Sequence, residues 1–122
     1  VKSASPFILV KDVRESVEYY QSIFGGDIKI LNEHAGKLLH AELHLGGSLI
    51  HFADTYGKQN ETKDANVIMQ FGSEEEITNA YEKLAADGGA IKVKLADTFF
   101  GALHGQVTDC KNGINWVMNF QR

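Results

Sequence analysis

Residues 40–51 carry three of the chain's five histidines, His40, His44 and His51, together with the carboxylate of Glu42. Imidazole and carboxylate are the side chains that exchange protons near neutral pH and that ligate divalent ions. The order His40-x-Glu42-x-His44 is a strand spacing. Alternate side chains of a strand share a face, about 7 Å apart along the backbone. Three chemistries are open to such a face. It can fix an organic ligand by hydrogen bonds without converting it. Adjacent members can chelate a metal ion, with His51 reaching across from a paired strand. Glu42 can polarise His51 or His44 so that an imidazole relays a proton without metal. Against these stands a bland alternative, the solvated outer face of an antiparallel sheet. On that reading Glu42 opposite His51 is a cross-strand ion pair worth about 0.2–1 kcal/mol.

A hairpin positions these residues. Two alternating runs flank Gly46-Gly47, the signature of a two-residue β-turn. With that loop Leu45 pairs with Ser48, and Glu42 falls opposite His51. One face then carries Leu39, Ala41, Leu43, Leu45, Ile50 and Phe52 and belongs against a core. The other carries His40, Glu42, His44, Leu49, His51 and Ala53.

The rest of the chain is expected to be one domain of 122 residues, long enough to bury a core. A net charge of −4 with no Lys/Arg cluster argues against nucleic acid or an anionic membrane as partner. No apolar run reaches spanning length and no signal-peptide pattern opens the chain. The single cysteine, Cys110, cannot form an internal disulfide, which fits a cytoplasmic setting. It is expected to pack at a strand end.

Phe7 to Val10 reads as a strand. Asp12 caps a helix with Glu15 three residues on, and Val13, Val17, Tyr20, Ile23 and Phe24 form its apolar stripe before Gly25-Gly26. Asp27 to Asn32 is a strand with Ile28 and Ile30 inward, and Glu33 to Gly36 a turn. After the hairpin comes a polar linker. Val67 to Phe71 is the next strand. Ser73 then caps a helix with Glu76 at the capping-box position and Ile77, Tyr81, Leu84 and Ala85 as its stripe. Ile91, Val93 and Leu95 face inward from a strand. Ala96 to Leu103 is a loop holding Phe99 and Phe100, Gln106 starts another strand, Lys111-Asn112-Gly113 is a turn, and Ile114 to Phe120 closes the chain. The order strand–helix–three strands occurs twice, with Tyr20 and Tyr81 each eight residues after a helix cap. The chain is thus an internal repeat: an α+β fold of two βαβββ modules, about 5–54 and 65–122, joined by a linker at 55–64.

Paired βαβββ modules resemble the vicinal oxygen chelate superfamily of glyoxalase I, bleomycin-resistance proteins and extradiol dioxygenases, and more narrowly its PhnB-like branch. The resemblance runs through Phe7-Ile8-Leu9-Val10-Lys11-Asp12-Val13, Tyr19-Tyr20-x-x-x-Phe24-Gly25-Gly26, His40-Ala41-Glu42-Leu43-x-x-Gly46-Gly47-Ser48, Leu95-Ala96-Asp97-Thr98-Phe99-Phe100-Gly101 and Gly105-Gln106-Val107-Thr108-Asp109-Cys110-x-Asn112-Gly113-x-Asn115-Trp116. It implies mixed, curled sheets whose concave faces form a cavity, and a homodimer. The "3-demethylubiquinone-9 3-methyltransferase" label common in that branch finds no support in the residues, because no Gly-rich nucleotide-binding loop follows a strand.

The resemblance also places the usual metal-ligand positions at Ser5, His51, Asn66 and Val117. Only His51 is a good ligand, whereas an ion needs about three or four protein donors. No cofactor is therefore expected, with a divalent metal displaced from the usual site as the alternative. The expected function is the binding of a small organic molecule; the alternative is a lyase-, isomerase- or dioxygenase-type enzyme using Glu42, His51 and His44. His40, Phe7, Asn66, Phe99, Phe100, His104 and Asn115 are expected to line the cavity, with Tyr56 a further wall. Four of these have a structural alternative: His40 can bond a loop carbonyl, His104 can hold the aromatic loop, and Phe99 and Phe100 can both be core. His34 reads as solvated and Trp116 as core.

Overall fold

A computed structural model describes residues 1–122 throughout. Its elements are β1 (Phe7–Val10), α1 (Val13–Phe24), β2 (Asp27–His34), β3 (Lys37–Leu45), β4 (Ser48–Asp54), β5 (Asn66–Gln70), α2 (Glu74–Ala86), β6 (Ala90–Asp97), β7 (Ala102–Thr108) and β8 (Asn115–Gln121). The chain divides into two compact units, Val1–Thr62 and Lys63–Arg122. Each holds one four-stranded mixed sheet and one helix. The strand orders are β1-β4-β3-β2 and β5-β8-β7-β6, the same arrangement twice. In each, the first strand pairs parallel with the last.

In the first unit, the Asp12 side chain accepts from the Glu15 backbone N–H at 3.0 Å and starts α1. This satisfies one of the amides that an α-helix leaves without an internal partner. The helix buries Val13, Val17 and Tyr20. Tyr20 stacks on Phe52 of β4, with centroids 5.4 Å apart, over Ala41 and Leu43 of β3, all fully buried. The hairpin register is the one the Gly46-Gly47 turn predicts: Leu45 pairs with Ser48 and Glu42 with His51. Irregular pairing between β2 and β3 around Asn32 shifts the alternation at the start of β3. Leu38 is buried there and Leu39 only half-buried, contrary to the simple alternation. β2 also runs through the expected turn as far as His34, and only Ala35 and Gly36 form the bend. Ile30, expected inward, is half exposed on this edge strand.

In the second unit, Ser73 Oγ accepts from Glu76 N–H at 3.1 Å, and the Glu76 carboxylate accepts from Gly72 N–H at 3.1 Å. This reciprocal cap starts α2, which buries Ile77, Ala80 and Leu84. Trp116 is fully buried, and its indole Nε1 donates to Asp109 Oδ2 at 2.8 Å. The other oxygen of Asp109 accepts from the backbone of Lys111, Asn112 and Gly113. One buried carboxylate thus organises both the turn into β8 and the core tryptophan. β7 begins at Ala102 rather than at Gln106, so the loop holding Phe99 and Phe100 shrinks to residues 98–101. Gly105 explains part of that regularity: a Cβ there would come 3.1 Å from the Leu95 backbone. On β6, Ile91 and Val93 are exposed and only Leu95 is partly covered. β6 is the sheet's edge strand, with a neighbour on one side only. Cys110 is exposed instead of packed, and its thiol donates to the Asp87 carbonyl at 2.9 Å.

Candidate functional site

The first unit brings four of the expected site residues into one row, joined by two hydrogen bonds and one longer ion-pair contact. His40 Nε2 and His51 Nδ1 are 2.8 Å apart. His51 Nε2 lies 3.6 Å from Glu42 Oε2. Glu42 Oε1 is 2.7 Å from His44 Nε2. The sequence of contacts is therefore His40–His51–Glu42–His44. β3 supplies three members on one face and β4 supplies the fourth through the Glu42↔His51 pairing. His40 bonds His51 and not a loop carbonyl. The shorter contact of Glu42 is along its own strand to His44, rather than across to His51.

Phe7 covers part of this row. β1 pairs with β4 so that Phe7 stands beside His51. Its ring meets His40 edge-on at 5.7 Å and His51 at 6.2 Å, yet Phe7 is still half exposed. A large apolar ring next to imidazoles on an open face is a wall for a ligand's apolar part.

The electrostatics follow from these contacts. Burial lowers the pKa of His40 from its ordinary value, the neighbouring His51 lowers it further, and Glu42 opposes both. Two imidazoles in contact resist being protonated together. The hydrogen bond from His44 lowers the pKa of Glu42; burial opposes it, and His51, His44 and Lys29 add to the lowering. The face therefore holds a carboxylate at neutral pH beside an imidazole biased toward its neutral form.

In the second unit the matching face is built mainly from carboxamides and a hydroxyl, with His104 the one imidazole. Its residues form three rows across β7, β8 and β5: Thr108–Asn115–Asn66, Gln106–Val117–Ile68 and His104–Asn119–Gln70. Asn115 Nδ2 donates to Asn66 Oδ1 at 2.9 Å and to Gln106 Oε1 at 3.0 Å, and its Oδ1 accepts from Thr108 at 3.0 Å. The Gln106 amide lies 3.2 Å from His104 Nε2. Asn119 Oδ1 lies 3.3 Å from His104 Nδ1, and Asn119 donates to Gln70 at 3.0 Å. Asn66, His104 and Asn115 thus belong to one polar network. Gln106, Thr108, Gln70 and Asn119 complete it. The sequence signal for them was polar residues at alternate positions; His104 joins that pattern on β7 once the strand begins at Ala102.

Phe99 and Phe100 are not core. They meet edge-to-face at 5.3 Å in the β6–β7 loop, with Phe99 fully exposed. Tyr56 is exposed on the linker and His34 at the end of β2.

Of the four positions where the resemblance places metal ligands, His51 alone carries a strong ligand side chain. Val117 has no donor atom. The Asn66 carboxamide is bonded to Asn115. His51 Nδ1 is engaged by His40, and Ser5 precedes β1 in an exposed segment. No group of three or more His, Cys, Asp or Glu side chains is arranged to hold an ion. The rings of the histidine row bond in line instead of converging.

The family model of the Glyoxalase/Bleomycin resistance protein/Dioxygenase superfamily matches residues 3–118. The chain belongs to that superfamily, and its two βαβββ modules are that fold. Among solved structures it is similar to protein PA1353 from Pseudomonas aeruginosa (22% identity, TM-score 0.81, covering 99% of this chain and 98% of that one). It is also similar to the PhnB protein from Bacillus cereus, which carries the 3-demethylubiquinone-9 3-methyltransferase label (26%, TM-score 0.76, 98% and 99%). TioX from Micromonospora sp. ML1 is a third (19%, TM-score 0.73, 98% and 100%). No curated protein sequence matches the chain.

Proposed function

We propose that this chain is a PhnB-like small-molecule binder of its superfamily, and that the first unit's histidine row holds the ligand without a metal at the usual positions. The observation that carries this reading is the row of His40, His51, Glu42 and His44 in contact on one sheet face, with the half-exposed ring of Phe7 against His40 and His51. Such a row presents both a hydrogen-bond acceptor and imidazole donors to a polar group, and Phe7 supplies an apolar contact beside them. Mostly apolar walls with a few placed polar groups are the general form of a ligand site. A cytoplasmic homodimer accompanies the proposal. Its support is the exposed Ile30 and Leu31 on β2 and Ile91 and Val93 on β6, both edge strands, which call for a cover. Light scattering after size exclusion that returns a monomer at micromolar concentration removes the dimer.

A second reading has its own support in the 2.7 Å Glu42–His44 contact. A carboxylate hydrogen-bonded to an imidazole orients it and stabilises its cation, which suits proton transfer to or from a bound substrate. One experiment separates the two: a thermal-shift screen of small organic compounds, followed by turnover assays on the hits. In the binder, Glu42→Gln weakens the shift and no compound is consumed. In the acid–base enzyme, a hit is converted, and Glu42→Gln abolishes the conversion. Elemental analysis finding one tightly held ion per chain, lost in His51→Ala, contradicts the metal-free part of the proposal.

A further inference from the structure

The second unit has a pocket of about 380 Å³ lined by Asn66, Gln106, Thr108 and Asn115, with Asp64 and Lys92 among its remaining walls and Gly113 beside them. Its charges cancel, one carboxylate against one ammonium. All other side-chain polar groups in it are carboxamides or a hydroxyl. A primary carboxamide offers a donor and an acceptor side by side. It therefore matches groups that both give and take hydrogen bonds, and hydroxyls do so. A ligand with a net charge would leave water here without a surplus counter-charge, which is costly.

The hydrogen-bond inventory leaves capacity for such a guest. Both N–H groups of Asn115 are spent within the network. Gln106 uses one N–H toward His104, and Asn66 uses one, at 3.4 Å, toward the Asp64 carbonyl. Each has a second N–H to donate. Next to this row on the same sheet face lies Val117–Ile68, with Ile68 largely exposed. A polar row beside an open apolar row suits a ring with hydroxyls on its rim and C–H groups on its faces.

We propose that this pocket binds an uncharged, hydroxylated ring compound of the pyranose or cyclitol kind. The proposal goes beyond the first-face reading: it adds a second site on the other unit and names its ligand class. Its determinants are Asn66, Gln106 and Asn115. These are specificity residues and no bond is made or broken.

The test is an NMR titration of the full chain, reading the side-chain NH₂ signals of Asn66, Gln106 and Asn115. The probes are methyl glucoside and inositol, both uncharged, with glucuronate and glucosamine as charged counterparts. The neutral probes should shift these three signals with millimolar dissociation constants, and the charged ones should bind at least about tenfold more weakly. Asn115→Ala should remove the response. Gln106→Glu, which keeps the side chain's shape, should remove the preference for neutral probes. Three carboxamides that stay still up to about 50 mM of the neutral probes, well above the millimolar range, overturn the proposal. Equal shifts from charged probes overturn it too. The ring signals of His40 and His51 report on the first face in the same spectra. Movement there with still carboxamides defeats this inference and leaves the first-face reading in place.

Discussion

At matching places on two sheets of one topology, the first unit sets Glu42, His51 and Phe7 side by side, and the second sets Gln106, Val117 and Ile68. The match is fixed by the helices: Phe7 and Ile68 each stand five residues before a helix cap. Where the first unit has an ionisable carboxylate the second has its neutral isostere, and where the first has an imidazole the second has an isopropyl group. Everything that holds the two triplets in register is shared, including a side-chain cap, a buried helix stripe and a parallel β1–β4 or β5–β8 pair. The fold sets where these side chains stand, and their chemistry is free to differ. The first face can gain and lose protons near neutral pH. The second offers mainly carboxamides and a hydroxyl, bonded to one another in a network.

The largest effect breaks the shared frame. Trp116→Ala empties the second core and should cost about 3–5 kcal/mol, read as a loss of unfolding free energy in denaturant. Asp109→Ala leaves the indole N–H and three turn amides without their acceptor and should cost about 1–3 kcal/mol. If Asp109→Ala is as stable as the parent, the buried carboxylate is not what ties turn to core.

Smaller changes convert one face toward the other. Gln106→Glu removes the amide that meets His104 and puts a carboxylate into the carboxamide network. About 0.5–1.5 kcal/mol of stability should be lost near neutral pH. An unchanged midpoint would show that the carboxamide network contributes nothing to folding. Glu42→Gln makes the reverse exchange. Glu42 is the group that raises the His40 pKa, so its loss should push His40 lower still in an imidazole titration.

The smallest effect is in the pH dependence of stability. Folding lowers the pKa of His40, so below the ordinary histidine value of about 6.5 the unfolded chain binds more protons there than the folded one. This contribution is complete above that value and fades as pH falls through the lowered one. Glu42 is lowered as well, so its contribution is present above the ordinary carboxyl range and fades only at more acidic pH. Two steps in order should appear in a urea series across pH, and His40→Gln should remove the upper one.

Much of this architecture was legible in the chain. Asp12 and Ser73 marked both helix starts because a cap is a local event. Gly46-Gly47 fixed the register that sets Glu42 against His51, because a two-residue turn leaves little freedom. What escaped depended on neighbours. The inward assignments of Ile30, Ile91 and Val93 failed because β2 and β6 are edge strands with less to pack against. Leu38 replaced Leu39 in the core because the β2–β3 pairing is irregular near Asn32, and alternation cannot announce such a bulge. The bond between His40 and His51 joins diagonal positions, which pairing register alone does not reveal. The second face was half visible through Asn66, His104 and Asn115, while Gln106 and Thr108, on a strand expected from Gln106, were joined to it only by the β7–β8 pairing.

The most direct test is an NMR titration of the histidine rings against pH in the parent chain, in Glu42→Gln and in His51→Gln. A coupled ionisable row predicts that His40 titrates below about 6.5, moves lower in Glu42→Gln and moves higher in His51→Gln. If His40 titrates at the ordinary value in all three proteins, the row is a set of independent surface groups and the contrast between the two faces fails.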